Sequence, residues 1–277
     1  MSLVIAKQRN NKIAFVSDTK LTSTKPGRSN AAPEQGVIKC VILNEYLCIA
    51  TAYEDNQGVD DIIGKCRDVN KDFAKVLDIL TKFTKMRTGV EFIVGGCYGF
   101  CLLYEIKAGN CKRATDCWIG SKAGYSEFEK AFQEMGKGFF KYDFEYCTEK
   151  ALKQVIEENK VDTINGFVIT VDNNPGVFHY KTALHIDILP QILPPGFSTM
   201  GHASAAAGGY TVHYFPSNAP YTALAIYVLQ GNFGIIYRLR DKGLLYPEVF
   251  SNRTEDEFGK ICQQQGIYKI ASTPPQR

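Results

Sequence analysis

The serine in second position is the residue best placed to do chemistry in this chain. The chain opens Met1-Ser2-Leu3-Val4-Ile5-Ala6-Lys7, and removal of Met1 would leave a hydroxyl and a free α-amine on one residue. An α-amine titrates near 8 by reference values, so near neutral pH it can act as the serine's own base. Such a nucleophile needs no histidine. His179, His185, His202 and His213 all fall late in the chain, and no G-x-S-x-G elbow accompanies them. Only His202, in a small-residue loop, stands as a minor candidate.

Other chemistries have weaker signals. Cys97-x-x-x-Cys101 and Cys111-x5-Cys117 lack zinc-type spacing, and no histidine lies near them. Gly95-Gly96-x-x-Gly99 falls inside a strand pair with no helix after it, unlike a phosphate cradle. Neither a metal nor an organic cofactor is implied. The nine cysteines are an odd number, and several, such as Cys48 and Cys101, sit in apolar runs. That pattern predicts reduced, buried thiols in a cytoplasmic protein rather than a disulfide framework.

Positioning Ser2 falls to a hairpin. Residues 1–7 and 13–19 read as two apolar strands joined by a turn containing Asn10 and Asn11. Lys20 to Gln35 is polar and reads as an exposed loop. Strands are predicted over 37–43 and 46–52, then an amphipathic helical stretch over 60–86, broken once. A hairpin over 91–96 and 99–106 follows, with a short strand ending near Ser121. Helices are expected at 125–135 and 149–158, the second capped by Thr148. Strands at 165–171 and 177–185 flank the turn Asp172 to Gly176. A linker-like stretch begins near Ile186, and short strands over 210–215, 223–229 and 235–239 precede a helix at 255–265. Residues 1–185 therefore form the core domain, and 186–277 a β-rich extension packed on it.

Composition is that of an ordinary globular protein, 45% apolar and 22% charged over 277 residues. A net charge of +3 is too small to argue for nucleic acid or a membrane surface. No apolar run approaches the roughly 20 residues of a spanning helix, and the opening lacks the basic region and cleavage site of a signal peptide.

From Ser2 to Thr22, with Asp18-Thr19-Lys20 closing the second strand, the chain resembles a proteasome β-subunit or its HslV-type relatives. These are N-terminal-nucleophile hydrolases, in which a threonine freed at the N-terminus opens the first strand. Ser2 matches that threonine and Asp18 the aspartate of the Asp-Ser-Arg-like element. Lys39-Cys40-Val41-Ile42-Leu43-Asn44 fits the pattern that carries the family's lysine. Ile119-Gly120-Ser121 is similar to its helix entry, which puts Ser121 at the supporting serine. Asp162-Thr163-Ile164-Asn165-Gly166 is similar to its Asp-x-x-Ser-Gly, which puts Asp162 at the supporting aspartate and Asn165 in place of a serine near the amine.

The resemblance implies a proteasome-like α+β fold, a four-layer αββα sandwich followed by the mainly β extension. It implies peptide or amide hydrolysis: Ser2 attacks, its amine shuttles the proton, Lys39 supplies positive charge, and Asp18 holds Lys39 ionised and oriented. Ser121, Asp162 and Asn165 would keep the amine in place. Substrate would lie along the edge near Lys20, Leu21 and Thr51, with Thr51 and Tyr53 shaping the first pocket. Relatives are ring oligomers, so a homo-oligomer is implied, with room for an unfoldase or regulatory partner.

Three alternatives stay open. Asp18 and Lys39 could be a surface ion pair, and Ser121 a plain helix cap. The chain could be a non-catalytic structural or binding subunit of a proteasome-like assembly. It could also be an amidase or acylase for small molecules on the same scaffold.

Overall fold

The computed structural model describes residues 3–18, 39–53, 58–138, 144–158, 160–164, 168–173, 176–180, 204–207, 210–215, 223–228, 233–240, 243–250 and 253–265. It opens on the expected hairpin, β1 (Leu3–Arg9) and β2 (Lys12–Ser17), antiparallel from Val4↔Ser17 to Arg9↔Lys12. Asn10 and Asn11 turn it with φ of 47° and 62°. Two left-handed residues in a row match the twist of the flanking strands, and asparagine tolerates that region. Leu3 to Ala6 are buried without alternation, because this strand is covered on both faces.

Two five-stranded antiparallel sheets are built around the hairpin. The first adds β8 (Asp116–Gly120), β9 (Ile169–Asp172) and β10 (His179–Tyr180), in the order β10-β9-β2-β1-β8. The second is a meander of β3 (Cys40–Asn44), β4 (Leu47–Tyr53), β5 (Val90–Cys97), β6 (Cys101–Lys107) and β7 (Asn110–Ala114). Contacts of β1 with β4 and β6, and of β8 with β4 and β5, bring the two sheets together. One hydrophobic cluster runs through both, from Ile5 and Phe15 to Ala50, Ile93 and Leu103.

Helices pack beside each sheet. The helical stretch breaks as expected into α1 (Val59–Asp68) and α2 (Phe73–Met86); Asp72 caps α2 by accepting from the Lys75 N–H at 3.0 Å. Val76 and Leu80 of α2 join Ile49, Phe92 and Val94 in a second cluster. On the other side, α3 (Lys122–Gly138) contacts β1 and α4 (Phe144–Glu157) contacts β2. The fold is α+β. Among the described residues no helix is long and apolar enough to cross a membrane.

A third antiparallel sheet lies in the extension: β11 (Ser204–Ala207), β12 (Tyr210–Phe215), β13 (Ala223–Val228), β14 (Phe233–Arg240) and β15 (Gly243–Phe250), in that order. Helix α5 (Glu255–Gln264) starts with a reciprocal capping box between Thr254 and Glu257 and buries Phe258 against Tyr227 and Ile236. β15 contacts α1, and β11 contacts α4.

The glycine pair in β5 has a packing role. A methyl on Gly95 would meet the Phe15 ring at 2.7 Å, and one on Gly96 the Phe73 ring at 2.5 Å. The two glycines face opposite sides of the strand, so an aromatic ring from the first sheet and one from α2 lie close on its backbone. Gly96→Val should overpack the second site and cost about 1–3 kcal/mol. A lowered urea midpoint at unchanged slope checks it.

Four expectations need correction. Thr148 is no N-cap: it sits inside α4 and donates to the Phe144 carbonyl at 2.6 Å, because α4 starts four residues earlier. Cys97 and Cys101 form a disulfide, since the β5–β6 register makes them facing partners with Cα atoms 4.1 Å apart. The other seven cysteines are in no disulfide. Strand β7 was not anticipated: its residues are exposed or half-buried, so no apolar alternation marks it. Neither was β15, an edge strand that tolerates Pro247. The loop expected over 20–35 and the linker after Ile186 lie outside the described residues.

Candidate active site

The N-terminal end of β1 meets the C-terminal end of β2 and the entry to β3, and there three chain segments share one buried carboxylate. The Leu3 N–H donates to Asp18 Oδ1 at 2.9 Å. Lys39 Nζ donates to the same oxygen at 2.7 Å and to the Asp18 carbonyl at 2.8 Å. Lys39 is carried there by the sheet, since its carbonyl accepts the Thr51 N–H at 2.9 Å as β3 pairs with β4. The Asp18 and Lys39 side chains are 0% and 2% exposed. That excludes the surface ion pair.

Burying two charges costs several kcal/mol of desolvation for each ion, and apolar residues of similar size often serve stability as well. A pair this deep needs good geometry, and here the carboxylate takes two donors while the ammonium reaches two acceptors. Chemically it does two things. It fixes the start of β1 through the Leu3 amide, and it holds a positive charge in a water-poor space.

Ser121 follows β8, whose Gly120 pairs with Leu3. Its hydroxyl accepts the Gly124 N–H at 3.1 Å, so it caps α3, and it also accepts from the Thr163 hydroxyl at 3.1 Å. Asp162 is exposed, and its neighbour Thr163 is the side chain that reaches Ser121. Thr51 is buried beside Lys39, and its hydroxyl has no hydrogen-bond partner among the described residues. It lies in phase with Leu47 and Ile49, on the face of β4 that carries the second cluster, and Tyr53 packs against that cluster. Ser2, Lys20, Leu21 and Asn165 lie outside the described residues.

No known family model matches this chain, and no curated protein matches it.

Two residues of the site were not anticipated. Thr163 stands next to Asp162 in a turn closed by the Ile164 N–H on the Val161 carbonyl, and its hydroxyl reaches Ser121. Glu91 accepts the Gly120 N–H at 2.9 Å and so ties β5 of the second sheet to the end of β8 in the first. Gly120 has a φ of 96°, a conformation that suits glycine, and the carboxylate fixes it one residue before Ser121. Glu91 is in phase with Ile93 of the core. A charged residue on the inward phase of a strand was the signal available in the sequence.

The Cys40 thiol is fully buried next to this site. Burial pushes its pKa up to about 12, while the Ser17 hydroxyl and then the Lys39 charge pull less strongly the other way. Cys40 is therefore protonated at neutral pH and does not compete as a nucleophile. Iodoacetamide at pH 8 should leave Cys40 unmodified in the folded protein and alkylate the exposed Cys111 first; peptide mass spectrometry reads the order. Among the described residues no group of three or more His, Cys, Asp or Glu is arranged to hold a metal ion.

Proposed function

We propose that this protein is an N-terminal-nucleophile hydrolase that cleaves peptide or amide bonds with Ser2, made N-terminal by removal of Met1. The observation that carries this reading is the buried Asp18–Lys39 pair, whose carboxylate also takes the Leu3 N–H one residue from Ser2. In this reading the Lys39 ammonium lowers the pKa of the Ser2 hydroxyl, and the α-amine serves as its base. An acyl-enzyme forms on Ser2 and water releases it.

In this reading the two facing sheets and the helix pairs beside them make the four-layer αββα sandwich of the proteasome-like class. The substrate, a homo-oligomeric ring, a regulatory partner and a cytoplasmic setting belong to the same proposal. The second reading is a non-catalytic subunit that keeps the scaffold with Ser2 idle.

One experiment separates them. The intact mass of the protein from its native host shows whether Met1 is lost, and a β-lactone probe followed by peptide mapping shows whether Ser2 acylates. Loss of Met1 with label on Ser2 supports the hydrolase. Full retention of Met1, or no label on a free Ser2, leaves the non-catalytic subunit.

A further inference from the structure

At the far end of β3 from Lys39, three connections meet around an open cleft of about 480 Å³. They are the β3–β4 turn, the α1–α2 junction and the β5–β6 loop. Tyr46 and Tyr98 wall the cleft, their ring centroids 5.8 Å apart and tilted by 46°, and Leu43 contributes apolar surface. Four large apolar or aromatic side chains are exposed among the described residues. Tyr46 and Tyr98 are two of them, at 41% and 40%, and Phe100, at 63%, stands on the same loop as Tyr98. Aromatic surface left uncovered in a concave place is a binding feature rather than a packing one.

The cleft is built before any ligand arrives. Asn44 Nδ2 and the Tyr98 hydroxyl both donate to the Asn70 carbonyl, at 2.7 and 3.1 Å, and the Tyr46 N–H donates to Asn44 Oδ1 at 2.8 Å. The Cys97 N–H donates to the Tyr46 carbonyl at 2.9 Å, the Cys97–Cys101 disulfide ties the feet of the loop, and Phe73 packs on Tyr98 with centroids 6.0 Å apart. These bonds occupy the amides and the phenol. Two charges are left over. Glu45 and Lys71 both line the cleft, and among the described residues neither forms an ion pair, with the other or with any third group.

One acid, one base and two aromatic walls complement a molecule with both charges and a flat side chain. We propose that this cleft binds an aromatic zwitterion of amino-acid or dipeptide size. Lys71 takes its carboxylate, Glu45 its ammonium, and the paired Tyr46 and Tyr98 rings offer their exposed surface to its ring. A purely anionic or cationic ligand would leave one of the two charges unanswered, and an aliphatic zwitterion would forgo the ring contacts. The site is separate from Asp18 and Lys39 and does not depend on the reading of that site.

Calorimetric titration of the full-length protein with L-tryptophan, the dipeptide Gly-Trp, tryptamine and indole-3-propionate tests it. At least one zwitterion should bind at a single site, and each singly charged analogue about tenfold more weakly. Comparison of L-tryptophan with Gly-Trp tells a free amino acid from a peptide. Lys71→Gln should abolish the preference for the zwitterion over tryptamine, and Glu45→Gln that over indole-3-propionate. Both positions are exposed, so these variants fold whatever becomes of Tyr98→Ala, which should remove binding. Absence of saturable binding by either zwitterion, equal binding of all four ligands, or preferences unmoved by the charge variants would overturn the proposal.

Discussion

Lys39→Met will destabilise the folded protein by about 3–5 kcal/mol and slow acylation of Ser2 about 10²-fold or more. The first effect follows from burial. Asp18 is fully enclosed and Lys39 Nζ is its charge partner at 2.7 Å, so a methionine strands a carboxylate in a space that excludes water. The second effect follows from position, because the ammonium donates to the same Asp18 oxygen that takes the Leu3 N–H. A further substitution separates the two. In Asp18→Asn/Lys39→Met a neutral amide still accepts the Leu3 N–H, and no buried charge remains. Most of the lost stability should return, since uncharged replacements of buried pairs are often neutral or better. Acylation should stay slow. Urea unfolding gives the first quantity and the rate of β-lactone labelling the second. Recovery of both together would make the pair a structural device only.

The opening hairpin was legible because its signal is local. Two asparagines at the turn demand left-handed backbone, and the apolar runs around them have nowhere else to go. Asp18 and Lys39 could be nominated from sequence, yet not their burial, because strand-end charges usually sit in water and only the facing of two sheets encloses these. Glu91 and Thr163 escaped notice for a related reason. Each acts on a residue brought near by tertiary contact, Gly120 from the other sheet and Ser121 forty-two positions upstream. The cysteines misled where hairpin register, not composition, decided the outcome: Cys97 and Cys101 face each other across a tight loop. The polar β7 and the proline-bearing β15 were hidden by edge positions, which need no apolar alternation.

An N-terminal extension is the severest test of Ser2, because it keeps the hydroxyl and removes only the amine. Protein carrying an uncleaved N-terminal tag should label with the β-lactone about 10²–10⁴-fold more slowly than protein tagged at the C-terminus, the usual worth of a positioned general base. Stability should change little, since the pairings of β1 and the Leu3–Asp18 bond do not use the α-amine. The pH profile adds a second readout. A base acts only when deprotonated, so labelling of the untagged protein should rise as pH increases through the α-amine pKa, near 8 by reference values, and then level off. The tagged protein has no such group, and its residual rate should not show that step. Equal rates for the two proteins would mean that Ser2 does not use its own amine, and a base elsewhere would have to be found.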